Sequence, residues 1–190
     1  MYQVPAKRNA AQHIHNNYPR KLKFFSHQVI QFQLTAAGQL QRGVGQLAIL
    51  GLQVVECAVA AVARSSHRAM VVADLPFGSY TTPEHAVATG VRFMKEAGAH
   101  AVKIEGGAQM ADTARALIEA GIPVMGHIGL RPQHVHAMGG YRVQGRGQAG
   151  DTVVADAQAL AGAGVFAIVL EVVPVEVAAR VTQAVTIPTI

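Results

Sequence analysis

The sequence predicts an α/β fold, a parallel sheet with helical crossovers, on three observations. Short apolar, β-branched runs alternate with amphipathic stretches from about residue 69 onward. The apolar runs offer no polar face, as expected of strands covered on both sides. Proline and glycine fall where helices should start and stop.

Each element follows in order. AMVVADLP (69–76) reads as a strand stopped by Pro76, and PEHAVATGVRFMKEAG (83–98) as a helix with Pro83 at its start, Glu84 in its first turn and Gly98 at its end. AVKIEGG (101–107) is the next strand, AQMADTARALIEAG (108–121) the next helix and IPVMGHIG (122–129) the next strand. DTVVADAQALAGAG (151–164) reads as a helix, FAIVLEVVP (166–174) as a strand, VEVAARVTQAV (175–185) as a helix, and IPTI (187–190) as the start of a fifth strand. A doubly wound sheet and a (βα)8 barrel both fit this order. No dinucleotide or P-loop glycine motif follows the first regular strand. The one glycine-rich stretch, GGYRVQGRG (139–147), lies in a long loop after a strand, where a barrel carries its site.

Composition narrows the class. The chain has 190 residues, 51% of them hydrophobic and 14% charged, which suits one packed domain and excludes a disordered one. A single cysteine, Cys57, cannot form an internal disulfide, so a reducing, cytoplasmic setting is expected. The net charge of +5 is uneven: residues 1–60 hold six basic residues against Glu56, and residues 61–190 hold ten against ten. The regular part therefore has no basic patch, and no nucleic-acid partner is expected. Leu47–Ala63 is the most apolar stretch, but Gln53 and Glu56 interrupt it, so a packed helix is expected and no membrane span. The texture divides the chain into a basic head over 1–57, irregular or helical, and a regular domain over 58–190.

Polar residues recur near the C-terminal ends of the expected strands: Asp74, Lys103 with Glu105, His127, and Glu171. Singly, a strand-end Asp can be a helix cap and a lone His a hydrogen-bonded core residue. Glu171 lies between apolar neighbours, where a carboxylate costs several kcal/mol unless partnered. Together, with no such residue in the first halves of the strands, they point to one shared site. Hard carboxylate oxygens suit Mg²⁺, a lysine suits an anionic substrate, and a partly buried Glu suits a general base. That combination fits enolisation of an α-keto acid.

VVADLPFGSY, VKIEGG, GHIGLRPQ, GGYRVQGRG and VLEVVPVEVAARVT, in this order, resemble the signature segments of the ketopantoate hydroxymethyltransferase family. The resemblance covers residues 58–190. It implies a (βα)8 TIM-barrel fold, here a partial barrel of four βα units plus the start of a fifth strand, and a homo-oligomeric enzyme. It implies that Mg²⁺ and 3-methyl-2-oxobutanoate bind together and that 5,10-methylenetetrahydrofolate donates the one-carbon unit. By motif, it makes Asp74 a metal and substrate ligand, Lys103 a substrate contact, Glu105 a metal ligand, His127 a substrate-pocket residue and Glu171 the catalytic base.

Two features depart from the family pattern. The family's Gly-Asp-Ser motif, whose Asp ligates the metal, occurs nowhere in the chain. A complete barrel needs about 250 residues. The alternative expectation is therefore a catalytically silent fragment of the family, acting at most as an interaction module.

Overall fold

The computed structural model describes residues 44–190. Helix α1 spans Val44–Ser65. Then come β1 (Val72–Asp74), α2 (Pro83–Lys95), β2 (Ala101–Glu105), a 3-10 turn (Ala108–Met110) leading into α3 (Ala111–Glu119), β3 (Val124–Gly129), a second 3-10 turn (Pro132–His134), α4 (Ala149–Ala163), β4 (Ala167–Glu171) and α5 (Val175–Ala184). Residues 1–43 of the expected head lie outside the described residues. The remainder of that head is helical, and α1 runs without a break across the boundary expected at residue 57.

The local chemistry explains the element limits. Thr82 caps α2 by accepting the His85 N–H at 3.2 Å, and Pro83 occupies the first turn, where no donor is needed. Gly164 closes α4 in the left-handed region at φ 100°, which lets its N–H reach back to Leu160 and Ala161. Helix α1 is anchored through buried Val59 and through an ion pair of 2.8 Å between Glu56 and Arg92 on α2. Among the described residues no helix is long and apolar enough to cross a membrane.

The four strands are parallel and lie in chain order, β1-β2-β3-β4. Residues 188–190 continue the sheet beyond β4: Ile168 and Thr189 form a parallel bridge, and Leu170 N–H donates to Ile190 O at 2.8 Å. A doubly wound sheet reverses its strand order at a switch point. This order does not reverse, and the helices collect on one face. The outer-face residues Ala73, Val102, Ile104, Val124, Ile128 and Ile168 share one core with Phe93, Leu117, Leu160 and Val181 of the helices. The opposite face holds a separate cluster of Val72, Ala101, Met125, Phe166 and Ala167, with no helix residue in it. One-sided helices and sequential parallel strands are the arrangement of a (βα)8 barrel wall.

Strand alternation then decides where the polar residues go. On β2, Ala101, Lys103 and Glu105 face inward while Val102 and Ile104 face the helices. The inner face is therefore apolar low in the sheet and polar at the C-terminal ends of the strands.

Candidate active site

Register sets the neighbours. Asp74 pairs with Lys103 across β1 and β2, Glu105 with His127 across β2 and β3, and Gly129 with Glu171 across β3 and β4. All five polar strand-end residues thus gather at one end of the sheet, on one face.

They form a connected chain of contacts. Lys103 Nζ lies 3.0 Å from Asp74 Oδ1 and 3.1 Å from His127 Nδ1, and the lysine is 2% exposed. An ammonium only donates, so Nδ1 accepts and the ring proton sits on Nε2. His127 Nε2 stands 3.0 Å from Glu171 Oε2, though out of line for a hydrogen bond. The Lys103–Asp74 contact is likewise a close ion pair without aligned hydrogen-bond geometry at Oδ1. His127 and Glu105 are fully buried, while Glu171 keeps part of its carboxylate open to solvent.

The environment shifts two of these carboxylates in opposite directions. Burial pushes Asp74 above the ordinary Asp range, against the pull of Lys103. Burial also acts to raise Glu105, but the close His127 and Lys103 side chains and the Gln133 N–H together outweigh it and hold Glu105 low. Tyr80 is raised by burial and by the nearby Glu105 charge.

The donor set suits a hard cation. Glu105 Oε1 is a buried oxygen with no hydrogen-bond partner, and Asp74 Oδ1 is met only by the Lys103 ion pair. An unsatisfied buried carboxylate oxygen such as Glu105 Oε1 is costly and invites a cation. Among the described residues no group of three or more His, Cys, Asp and Glu side chains is arranged to hold a metal alone. Mg²⁺ asks for less, since it commonly takes one or two carboxylates and fills its octahedron with water and substrate oxygens.

Sequence reasoning missed three neighbours of this cluster. The Gln133 backbone N–H donates to Glu105 Oε2 at 3.1 Å. Tyr80 OH donates to Gln133 Oε1 at 2.8 Å. His134 Nδ1 lies 3.6 Å from Glu105 Oε2, and its ring meets Phe77 edge to face at 6.4 Å. All lie on loops after strands, where no period marks them. The one available signal was Pro132, which starts the 3-10 turn that aims Gln133.

Sequential parallel strands, helices on the outer face and a polar cluster at the strand C-termini define part of the wall of a (βα)8 barrel. The fold is similar to a crystal structure from Burkholderia cenocepacia J2315 assigned as a lyase/mutase, with a TM-score of 0.54 and 20% identity over 73% of this chain and 51% of that one. A family model described as ketopantoate hydroxymethyltransferase matches residues 37–190. The chain belongs to that family. The match begins 21 residues upstream of the point, residue 58, where the sequence resemblance starts. Proteins named 3-methyl-2-oxobutanoate hydroxymethyltransferase are similar to it. That of Leifsonia xyli subsp. xyli is 62% identical over 68% of this chain and 47% of its own length. That of Nocardioides sp. is 64% identical over 68% and 44%, and that of Frankia alni 61% identical over 70% and 44%. The chain spans about half the length of the curated relatives it matches.

Proposed function

We propose that this chain carries the keto-acid site of a 3-methyl-2-oxobutanoate hydroxymethyltransferase. The observation behind the reading is the continuous line Asp74–Lys103–His127–Glu171, with Glu105 beside it, at the strand C-termini. Asp74 and Glu105 would hold Mg²⁺, which when bound supplies positive charge to the keto-acid oxygens and favours enolisation. Lys103 offers a fixed ammonium to the substrate carboxylate. Glu171, the most open of the carboxylates, takes the proton from C3. Its neighbour His127 stands close by, with Nε2 3.0 Å from the carboxylate. Carbon C3 then forms a bond to the methylene carbon of 5,10-methylenetetrahydrofolate as the first of its two carbon–nitrogen bonds breaks, and the second breaks as water adds, the proton from C3 and one from water passing to the two folate nitrogens. Water supplies the hydroxyl oxygen, and the products are 2-dehydropantoate and tetrahydrofolate. A cytoplasmic homo-oligomer is the assembly that goes with this reading.

A second reading, binding of the keto acid without transfer, is favoured by the absence of a Gly-Asp-Ser triplet from the 190 residues. One experiment separates the two from each other and from no function at all. The chain is incubated with Mg²⁺ and 3-methyl-2-oxobutanoate in D2O, and C3 deuteration is followed by NMR, with and without methylenetetrahydrofolate. Exchange followed by 2-dehydropantoate supports the transferase. Binding without product supports the second reading. Neither exchange nor binding overturns both.

A further inference from the structure

The two oxygens of Glu105 are in different circumstances. Oε2 accepts the Gln133 backbone N–H at 3.1 Å. Oε1 lies 3.5 Å from His127 Nδ1 and has no hydrogen-bond partner. The N–H that engages Oε2 belongs to the 3-10 turn Pro132–His134, and the side chain of the same residue holds that turn in place. Gln133 Nε2 donates to Leu75 O at 2.8 Å, and Gln133 Oε1 accepts from Tyr80 OH at 2.8 Å. Both partners lie on the segment after β1, more than fifty residues away in the chain. One glutamine therefore clips the loop after β3 to the loop after β1, with its own backbone N–H aimed at the end of β2.

We propose that Gln133 is a positioning residue that sets cation selectivity: by committing Oε2 to a clamped N–H, it leaves Glu105 a single free oxygen, Oε1, and so favours Mg²⁺ over Ca²⁺. The inference rests on the metal reading of the preceding subsection. Mg²⁺ is small, demands an octahedron and keeps several waters, so one carboxylate oxygen serves it well. Ca²⁺ is larger, takes six to eight oxygens and gains from two-oxygen carboxylate contacts. A carboxylate with one oxygen held by a fixed donor is a poor two-oxygen ligand. Groups that orient a ligand without touching the metal commonly change its affinity by about 10–100-fold. If Gln133 were only a loop tie, its loss would lower stability and weaken both ions alike.

The test is calorimetric titration of the full chain, freed of metal, with MgCl2 and with CaCl2 separately. For Gln133→Ala, Mg²⁺ affinity is expected to fall roughly tenfold while Ca²⁺ affinity holds or rises, so the preference for Mg²⁺ drops at least about tenfold. Tyr80→Phe removes only the clamp on Gln133 Oε1, and a smaller shift in the same direction is expected. Circular dichroism reports whether each variant folds, and if Gln133→Ala does not, Tyr80→Phe decides. A preference unchanged within about twofold, or a parallel loss of both ions, overturns the proposal while leaving the metal site standing. A wild-type chain that binds neither ion overturns the metal reading and this inference with it.

Discussion

Lys103 shows why the site is a residue-scale problem in charge. It is buried with Asp74 on one side and His127 on the other, and Glu105 is one residue further along the same face. Removing one member of a buried charge pair costs about 3–5 kcal/mol, because the partner stays behind without compensation. Lys103→Met is therefore expected to lower the unfolding free energy by about that amount in urea titration, and a loss under about 1 kcal/mol would deny that Asp74 is left as an uncompensated buried charge. Glu105 adds a pH signature. Its carboxyl is held below its ordinary value of 4.5, so the folded state favours the ionised form. Its stabilising contribution is fully present above pH 4.5 and is lost as pH falls through the depressed folded value. Asp74 has the opposite sign: raised above 3.8, it favours folding in acid and opposes it once ionised. Glu105→Gln should therefore be less stable than wild type at pH 7, and the difference should close as the pH drops below 4.5. A difference that stays constant to pH 3 would show that the carboxylate charge is not the cause. At this scale the sequence displayed the five strand-end residues, because a carboxylate or an ammonium in an apolar run stands out. Gln133 and Tyr80 did not stand out, since a polar residue in a loop has no local feature that says which strand it will meet.

Among elements, the junction of β3 and β4 aims Glu171. Leu130 N–H donates to Glu171 O at 2.7 Å, and Gln144 N–H donates to Val172 O at 2.9 Å. Val172 takes φ 49°, the only non-glycine with positive φ among the described residues, and a β-branched side chain is strained there. Gly129 permits the approach. Its φ is 88°, and a Cβ on it would press on the Glu171 carbonyl oxygen and meet Val173 Cγ1 at 2.7 Å. Backbone on one side and a left-handed conformation on the other leave little room to relax. Gly129→Ala is expected to cost about 2 kcal/mol or more and to turn Glu171 away from His127. Thermal unfolding checks the first part, and C3 deuterium exchange checks the second; a variant with wild-type stability and exchange would remove this junction from the account. Helix limits were legible beforehand because capping is local: Pro83 at the start of α2 and Gly164 at the end of α4 act on their own turns. The start of α1 at Val44 was not, because it lies in a stretch with no clean apolar period, where contacts such as Glu56 with Arg92 on α2 help fix the helix. Strand lengths were overestimated for a similar reason. Apolar runs continue past the last paired residue, as when β1 closes at Asp74, opposite Lys103, before Leu75 and Pro76.

Across the whole molecule, the inner face of the sheet is divided by height. Its lower layer is the apolar cluster around Met125 and Phe166, and its upper layer is the polar line from Asp74 to Glu171. Barrels commonly separate stability from function in this way, with packing below and chemistry at the strand C-termini. The two layers share strands but lie at different heights on the inner face, so their substitutions should have separable effects. Phe166 is 4% exposed, and truncating a buried Phe to Ala costs about 3–5 kcal/mol. Phe166→Ala is thus expected to lose that much stability while the folded fraction binds Mg²⁺ within about twofold of wild type. Glu171→Gln should do the reverse. Its carboxylate is partly open to solvent and its one close side-chain partner is the His127 ring, so stability should change by less than about 1 kcal/mol. Under the proposed function the same substitution removes the group that takes the C3 proton, so deuterium exchange should fall by about a hundredfold or more, the lower range for a positioned base. Urea unfolding, calorimetry and NMR exchange on both variants measure the four quantities together. If Phe166→Ala weakened Mg²⁺ binding in proportion to its loss of stability, the layers would be a single cooperative unit. If Glu171→Gln exchanged at the wild-type rate, the proton would have to leave to another group, and His127, one contact away and already paired with Lys103, would be the first to test.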